Sequence, residues 1–184
     1  MMMDDLERVV FTPEELAKKT RALGEHISQE YEGKDLLVVG ILKGASMFTM
    51  DLVRCITIPL ELDFIAVSSY GSSASSSGEV KILKDTTIDI QGKNVILCED
   101  IIDSGTTMAK LLPLLRERRP ASLRLKPFPL CALLSKPSRR IVPVDIDYCG
   151  WEVPDEFIVG YGLDYAEKYR NLPCIGVLKR EIYA

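Results

Sequence analysis

Short apolar runs without polar alternation recur along this chain. The clearest span 35–42 (DLLVVGIL) and 93–99 (KNVILCE), and another spans 130–136 (LCALLSK). A further run, 60–70 (LELDFIAVSSY), is largely apolar but begins with polar residues at every second position. A strand without alternation is one whose two faces are both covered, as in a parallel sheet packed between helices. We therefore predict a strand at each run, buried on both faces at 35–42 and 93–99.

Segments with helical periodicity separate these runs. In 11–33, Thr12 and Glu15 have the spacing of a capping box, Pro13 suits the first helical position, and Gly33 suits a stop. This spacing predicts one helix.

Two further helices are predicted at 44–56 and 106–119, the second kinked or shortened by Pro113. The tail, 147–178, mixes short strands with turns, and the Ser-rich stretch 68–80 is expected to be a mobile loop. Strands that alternate with helices predict an α/β fold, a parallel twisted sheet flanked by helices.

Composition narrows the function classes without choosing among them. With 184 residues, 47% hydrophobic and 27% charged, the chain is expected to form one soluble domain. Its net charge of −4 argues against a broad nucleic-acid-binding surface. The five cysteines form no C-x-x-C pattern, which favours a reducing cytoplasm. We expect no signal peptide in the acidic start, and no run is long enough to span a bilayer.

Candidate chemistry is concentrated in EDIIDSGTT, residues 99–107, directly after the strand at 93–99. Ligands of open α/β sheets bind at the carboxyl ends of strands. The SGTT turn offers backbone N–H groups and hydroxyls at a helix N-terminus, which make an anion site without lysine.

The three acids Glu99, Asp100 and Asp103 would repel a bare phosphate. They are explained if they contact sugar hydroxyls and Mg²⁺ on the same ligand. A phosphorylated ribose that carries a pyrophosphate fits. The alternative is that these residues are ordinary caps and turn formers, although the length of the pattern makes it more specific than an isolated D-x-G-x-T.

The segment VILCEDIIDSGTT resembles the diphosphoribosyl-binding signature of purine phosphoribosyltransferases, and the hypoxanthine-guanine phosphoribosyltransferase family is the nearest match. The similarity extends through VVGILKGA, SSYGSS, LCALLSKPSRR and VGYGLDYAEKYRNLP. It implies a type I phosphoribosyltransferase fold over 1–184, with a small hood subdomain from about 1–12 and 145–184. It also implies Mg²⁺-dependent transfer of 5-phosphoribosyl from phosphoribosyl pyrophosphate to hypoxanthine or guanine.

The resemblance assigns roles within 99–107. Glu99 and Asp100 would hold the ribose hydroxyls and a nearby metal ion. Asp103 would face the purine near N7 as general acid and base. The 5′-phosphate would be wrapped by Asp103, Ser104, Gly105, Thr106 and Thr107.

Other roles implied by the resemblance lie elsewhere along the chain. Lys43 and Gly44 would form a pyrophosphate loop with a cis peptide at Leu42–Lys43. Ser69 and Tyr70 would open a loop that closes over the reacting centre, and Arg170 would contact pyrophosphate.

The purine site is implied in the same way. Lys136 would donate to the 6-oxo group, Phe157 would stack on the base, and the Ile158 backbone would contact the base edge. Asp164 would lie beside the base and serve as a second magnesium ligand, with Glu99 and Asp100 as the first.

Several alternatives stay open. Preference for xanthine is the closest, and a regulator of the same fold that binds nucleic acid would need a basic face. The basic clusters 116–119 (RERR) and 135–140 (SKPSRR) are expected to be solvated surface instead. A haloacid dehalogenase-type phosphatase would need D-x-D, where this chain has D-I-I-D. We expect no nucleic-acid or membrane partner, and a homodimer or homotetramer.

One segment departs from the family pattern. KPFP places Pro127 and Pro129 where the family would have a continuous strand. Proline removes a ladder donor, so we expect a bulge or short inserted loop at Lys126–Pro129, with Lys136 retained beyond it.

Overall fold

The computed structural model describes residues 2–69, 80–118, 120 and 128–184. Within these ranges the helices are α1 (Pro13–Glu30), α2 (Ser46–Cys55), α3 (Thr106–Arg116) and α4 (Arg180–Tyr183). The strands are β1 (Leu6–Phe11), β2 (Leu36–Leu42), β3 (Glu61–Ser69), β4 (Val80–Lys84), β5 (Asn94–Ile102), β6 (Leu130–Ser135), β7 (Tyr148–Glu152), β8 (Ile158–Val159) and β9 (Ile175–Leu178).

The main sheet has six strands in the order β4-β3-β2-β5-β6-β7. Strands β3, β2, β5, β6 and β7 are parallel, and β4 is antiparallel to β3 at one edge. This sheet and its flanking helices confirm the predicted α/β class. The short strands β1 and β4 were not predicted. Each lies at a sheet edge, and LERVVF and VKILK are too short and too polar to stand out as apolar runs.

Both faces of the main sheet are covered, and this explains the apolar runs. In β2, Leu36 and Val38 belong to the hydrophobic cluster that α1 and α2 complete. Their neighbours Leu37 and Val39 belong to the opposite cluster, which α3 completes. A strand buried in this way has no solvent-facing side, so its sequence has no polar alternation.

The predicted helix ends agree with the local chemistry. Glu15 N–H donates to Thr12 Oγ1 at 3.2 Å, and Thr12 N–H donates to Glu15 Oε2 at 2.8 Å, which completes the capping box of α1. Helix α1 ends at Glu30, and Gly33 adopts φ 71° in the turn that follows. Helix α3 continues through Pro113 and ends at Arg116, so the proline does not break the helix, although it has no N–H to donate to the carbonyl of residue 109.

A small antiparallel sheet, β1-β9-β8, is formed by strands from both ends of the chain. Strand β7 lies within the range 145–184 that the sequence assigned to the hood, but it pairs with β6 in the main sheet. The C-terminal part of a hood built on the small sheet would therefore begin after Glu152.

Pro129 does not interrupt β6. Pro129 directly precedes Leu130, the first residue of the strand, and its carbonyl accepts from Leu97 N–H at 3.0 Å. Lys126, Pro127, Tyr70 and most of the Ser-rich stretch lie outside the described residues, so the expectations for them stay predictions. Among the helices that are described, none is long and apolar enough to cross a bilayer.

Candidate active site

The carboxyl ends of three parallel neighbours, β2, β5 and β6, meet at one edge of the main sheet. Lys43 and Gly44 follow β2, the acidic pair Glu99 and Asp100 lies near the carboxyl end of β5, and Lys136 follows β6. A hydrogen bond from Lys136 N–H to Ile102 O, 2.9 Å long, joins the ends of β5 and β6. Parallel pairing therefore brings together residues that lie up to 93 positions apart in the sequence.

The turn between β5 and α3 is shaped as an anion site. Gly105 adopts φ 81° immediately before the first residue of α3, so the helix N-terminus opens toward the sheet edge. Ser104 Oγ and Thr106 Oγ1 lie 2.8 Å apart. The Ser104 carbonyl accepts from Ile141 and Val142 N–H at 2.9 and 3.0 Å, which fixes the outer side of the turn. A Cβ at position 105 would collide with the Val142 carbonyl oxygen, so only glycine fits.

Glu99 and Asp100 form a half-buried carboxylate pair. Burial raises the pKa of Glu99 well above its ordinary value, and repulsion from Asp100 raises it further. Burial also raises the pKa of Asp100, against the opposing effects of a hydrogen bond from Ile101 N–H and of the Arg170 charge. Gly44 packs directly on the Asp100 carboxylate, since an added Cβ would collide with it. A cation placed at this pair would stabilise both ionised carboxylates.

Lys43 and Arg170 converge on one acidic side chain. The Leu42–Lys43 peptide bond is cis, as the resemblance implied. Lys43 Nζ lies 3.1 Å from Glu167 Oε2, and Arg170 reaches the same oxygen at 3.3 Å and Asp164 Oδ1 at 2.8 Å. The sequence analysis did not single out Glu167, because a lone Glu in a turn carries no signal of its own.

The turn that carries Asp164 and Arg170 packs on the Lys43–Gly44 loop. Gly162, at φ 104°, faces the Gly44 carbonyl so closely that no Cβ could fit between them. Asp164 Oδ2 accepts Glu167 N–H at 2.9 Å, which holds Glu167 at φ 63°. Two backbone segments that are distant in sequence therefore present one group of charged side chains.

Asp103 and Lys136 are held by partners that the sequence analysis missed. Arg139 Nε lies 2.9 Å from Asp103 Oδ1, and the Arg139 guanidinium also reaches Asp155 at 3.4 Å. Lys136 is 8% exposed, and its Nζ donates to the Glu156 carbonyl at 2.7 Å.

The expectation that 135–140 forms solvated surface is wrong for Arg140. Its guanidinium donates to Ser135 Oγ at 2.8 Å and to Ile102 O at 3.3 Å, behind the phosphate turn. In the other cluster, 116–119, the Arg118 guanidinium donates two hydrogen bonds to the Asp85 carboxylate, each 2.6 Å long.

Phe157 lies on the small-sheet side of this edge. It is 37% exposed, and its ring stacks on Tyr183 with centroids 4.6 Å apart. Ile158 begins β8, and its side chain is buried. Ser69 is the last residue of β3, and its neighbour Tyr70 lies outside the described residues.

The described part of the chain contains no group of three or more His, Cys, Asp or Glu side chains that could enclose a metal ion. The Glu99–Asp100 pair still suits Mg²⁺, which commonly binds through one or two carboxylates and keeps waters and substrate oxygens for the rest of its shell. Asp164 already contacts Arg170 through Oδ1 and Glu167 N–H through Oδ2, so a metal ion at Asp164 would share these oxygens with existing partners.

Comparison with known proteins gives one consistent result. A family model described as the phosphoribosyl transferase domain matches residues 8–166. The hypoxanthine-guanine phosphoribosyltransferase of Bacillus subtilis is 49% identical over 183 residues, which cover 100% of this chain and 99% of that protein. A bifunctional protein TilS/HprT of Listeria innocua is 50% identical, but this chain spans only 28% of its length. A crystal structure of a hypoxanthine phosphoribosyltransferase from Staphylococcus aureus superposes with a TM-score of 0.93 at 44% identity, covering 100% of this chain and 97% of that one.

Proposed function

Because this chain belongs to the phosphoribosyl transferase family, we propose that it transfers 5-phosphoribosyl from phosphoribosyl pyrophosphate to hypoxanthine or guanine and releases pyrophosphate. The observation that carries the proposal is the meeting, at one sheet edge, of a phosphate turn, a carboxylate pair and a buried lysine. The relatives named above as hypoxanthine or hypoxanthine-guanine phosphoribosyltransferases support the choice of base.

Phosphoribosyl pyrophosphate would lie across the ends of β2 and β5. The N–H groups and hydroxyls of 104–107 would bind the 5′-phosphate at the start of α3. Glu99 and Asp100 would accept hydrogen bonds from the ribose hydroxyls. Lys43 and Arg170, which lie on either side of Glu167, would bind the pyrophosphate in place of that carboxylate.

Mg²⁺ would be held by the Glu99–Asp100 pair, with Asp164 as a second position. When bound, the ion supplies charge that stabilises the departing pyrophosphate. The protein itself would supply Lys43 and Arg170 for the same purpose, and the glycine at position 44 lets the loop backbone approach the ligand closely.

The purine would lie between the end of β6 and Phe157. Lys136 Nζ has three donors, of which the Glu156 carbonyl engages one, so it can also donate to a 6-oxo group. Adenine has an amino group at this position and would offer a donor instead of an acceptor. Phe157 would stack on the base and the Ile158 backbone would contact its edge, which together fix the plane of the ring.

In the reaction, the purine N9–C1 bond forms as the bond from ribose C1 to the pyrophosphate oxygen breaks. The electron pair of the broken bond leaves with pyrophosphate, and the purine gives up one N–H proton. Asp103 would accept that proton near N7. The loop that begins at Ser69 and Tyr70 would exclude water, which competes for a ribosyl cation.

A single assay tests the proposal. Purified protein is incubated with Mg²⁺, phosphoribosyl pyrophosphate and, in parallel, hypoxanthine, guanine, xanthine, adenine or uracil, and nucleotide formation is followed. We expect product with hypoxanthine or guanine, lost when the metal is chelated. Product with xanthine alone would select the alternative base, and binding of phosphoribosyl pyrophosphate without transfer to any base would favour a regulatory role.

The proposal extends to the cellular location and the oligomeric state of the protein. The five free cysteines are typical of a reducing compartment, which supports a cytoplasmic location. We also propose a homodimer or homotetramer, to be tested by sedimentation of the purified protein.

A further inference from the structure

We infer that Tyr183 is a positioning residue for the purine site, because it backs the Phe157 ring and fixes the plane on which the base stacks. This inference rests on the proposed function, since it assigns a supporting side chain to that same site.

Three aromatic side chains, Phe157, Tyr165 and Tyr183, form a cluster beside β8. The Phe157 and Tyr183 rings are nearly parallel, with centroids 4.6 Å apart and an interplanar angle of 20°. The Tyr165 and Phe157 rings are nearly perpendicular, with centroids 5.6 Å apart and an interplanar angle of 86°. Tyr165 and Tyr183 are also in contact, with centroids 6.5 Å apart at 66°. Each ring therefore contacts the other two, and rotation of Phe157 would break two favourable aromatic contacts.

The segment that carries Tyr183 is tied to the backbone of the purine site. Leu178 N–H donates to the Phe157 carbonyl at 2.9 Å. The next residue, Lys179, donates its N–H to Asp5 O at 3.0 Å, and α4 follows at once. Ile182 and Tyr183 pack against a hydrophobic cluster centred on the small sheet. Tyr183 is half-buried and packs against the core of the small sheet, in a position set by β9 and β1.

The purine would stack on the face of Phe157 opposite Tyr183. Tyr183 covers one face of the ring and Tyr165 meets it at a right angle, yet 37% of Phe157 stays exposed. Lys136 binds the carbonyl of Glu156, the residue immediately before Phe157, so a buried cation lies next to the same backbone segment. A purine bound through Lys136 would meet the open face of Phe157 and complete a stack of three rings.

The test distinguishes a role of Tyr183 in stacking the purine from a role in folding alone. Tyr183→Ala should raise KM for hypoxanthine about three- to tenfold, as expected for loss of an aromatic pair, while KM for phosphoribosyl pyrophosphate stays within about twofold. Tyr183→Phe keeps the ring and should restore KM for hypoxanthine. A role in folding alone would lower thermal stability without separating the two KM values.

Two results would overturn the inference. An unchanged KM for hypoxanthine in Tyr183→Ala would mean that the position of Phe157 does not depend on Tyr183. A lower KM would mean that Tyr183 covers the face that the purine needs. Equilibrium binding of the product nucleotide, measured by calorimetry on wild type and both variants, distinguishes failure of the proposed function from failure of the role of Tyr183. If the wild type neither transfers nor binds, the proposed function fails and this inference fails with it. If the wild type binds and Tyr183→Ala binds equally well, only the inference fails.

Discussion

Arg139 Nε lies 2.9 Å from Oδ1 of Asp103, so the proposed proton acceptor is held by a cation from the segment after β6. The same guanidinium reaches Asp155 at 3.4 Å. The contact orients the Asp103 carboxylate at the turn before α3. The proposed role of Asp103 in proton transfer can be tested separately from a role in binding.

Asp103→Asn should lower kcat about 100- to 10,000-fold, the usual contribution of general acid–base catalysis, with much smaller changes in either KM. The amide keeps the shape and a hydrogen-bond acceptor but cannot take the purine proton. Steady-state kinetics with hypoxanthine measure this. Asp155→Asn is the matched control, because it alters the other partner of Arg139 and should leave kcat within a few-fold. An unchanged kcat in Asp103→Asn would remove Asp103 from the mechanism.

Glu167→Gln should tighten pyrophosphate binding about two- to fivefold. The Glu167 carboxylate contacts both Lys43 and Arg170, and it must leave them when a pyrophosphate binds. The effect is small because surface ion pairs contribute little. The inhibition constant for pyrophosphate measures the change, and Glu32→Gln, an exposed site with the same change of charge, is the control. Weaker inhibition by pyrophosphate would show that Glu167 supports the anion site instead of competing for it.

Gly105→Ala should destabilise the fold more than Gly92→Ala and should also weaken binding of phosphoribosyl pyrophosphate. Both glycines have positive φ, 81° and 73°, so each substitution costs about 1–2 kcal/mol of backbone strain. Only Gly105 also meets a backbone carbonyl, that of Val142, whereas nothing lies within 4 Å of a Cβ at Gly92. Chemical denaturation and equilibrium binding measure the two effects. Equal losses of stability would contradict the packing argument.

The stability of the fold should depend on Asp63 at acid pH. Burial alone raises the pKa of Asp63, but hydrogen bonds from the backbone of Ile88, Phe64 and Thr87 outweigh it and lower the pKa to about 2, from an unfolded value of 3.8. A group whose pKa falls on folding stabilises the protein above its unfolded pKa, and that stability is lost as pH falls through its folded pKa. About 2 kcal/mol should therefore disappear between pH 4 and pH 2.

The free energy of unfolding, measured from pH 2 to pH 7, tests this prediction. Asp63→Asn should be less stable at neutral pH and should lose less stability on acidification than the wild type. Glu25→Gln, at an exposed position of α1, should retain the wild-type slope. An unaltered slope in Asp63→Asn would assign the acid sensitivity to other carboxylates.

Local features of the chain were enough to predict most of the main sheet and the phosphate turn. The continuous apolar run of β2 predicts a strand covered on both faces, and Leu36 and Leu37 do enter opposite clusters. The spacing of Thr12 and Glu15 predicts a capping box that the structure contains. The edge strands β1 and β4 carry weaker patterns, because an edge strand is only partly buried and its sequence need not be apolar.

The polar contacts of the site could not be predicted in the same way. Arg139 and Arg140 stand in a basic cluster that composition favours as solvated surface, yet Arg139 contacts Asp103 and Arg140 donates to Ile102 O. Each of these partners lies more than 30 positions away in the sequence, and the pairing exists only because β5 and β6 are neighbours.

The sequence by itself therefore determined the α/β class, the position of the phosphate turn and the family resemblance, because these depend on periodicity and on residue spacing within short segments. The tertiary structure decided which side chains meet: Glu167 with Lys43, Arg139 with Asp103, and Tyr183 with Phe157. Such meetings depend on strand order and on the packing of the small sheet against the main one. These are properties of the whole chain that no local pattern predicts.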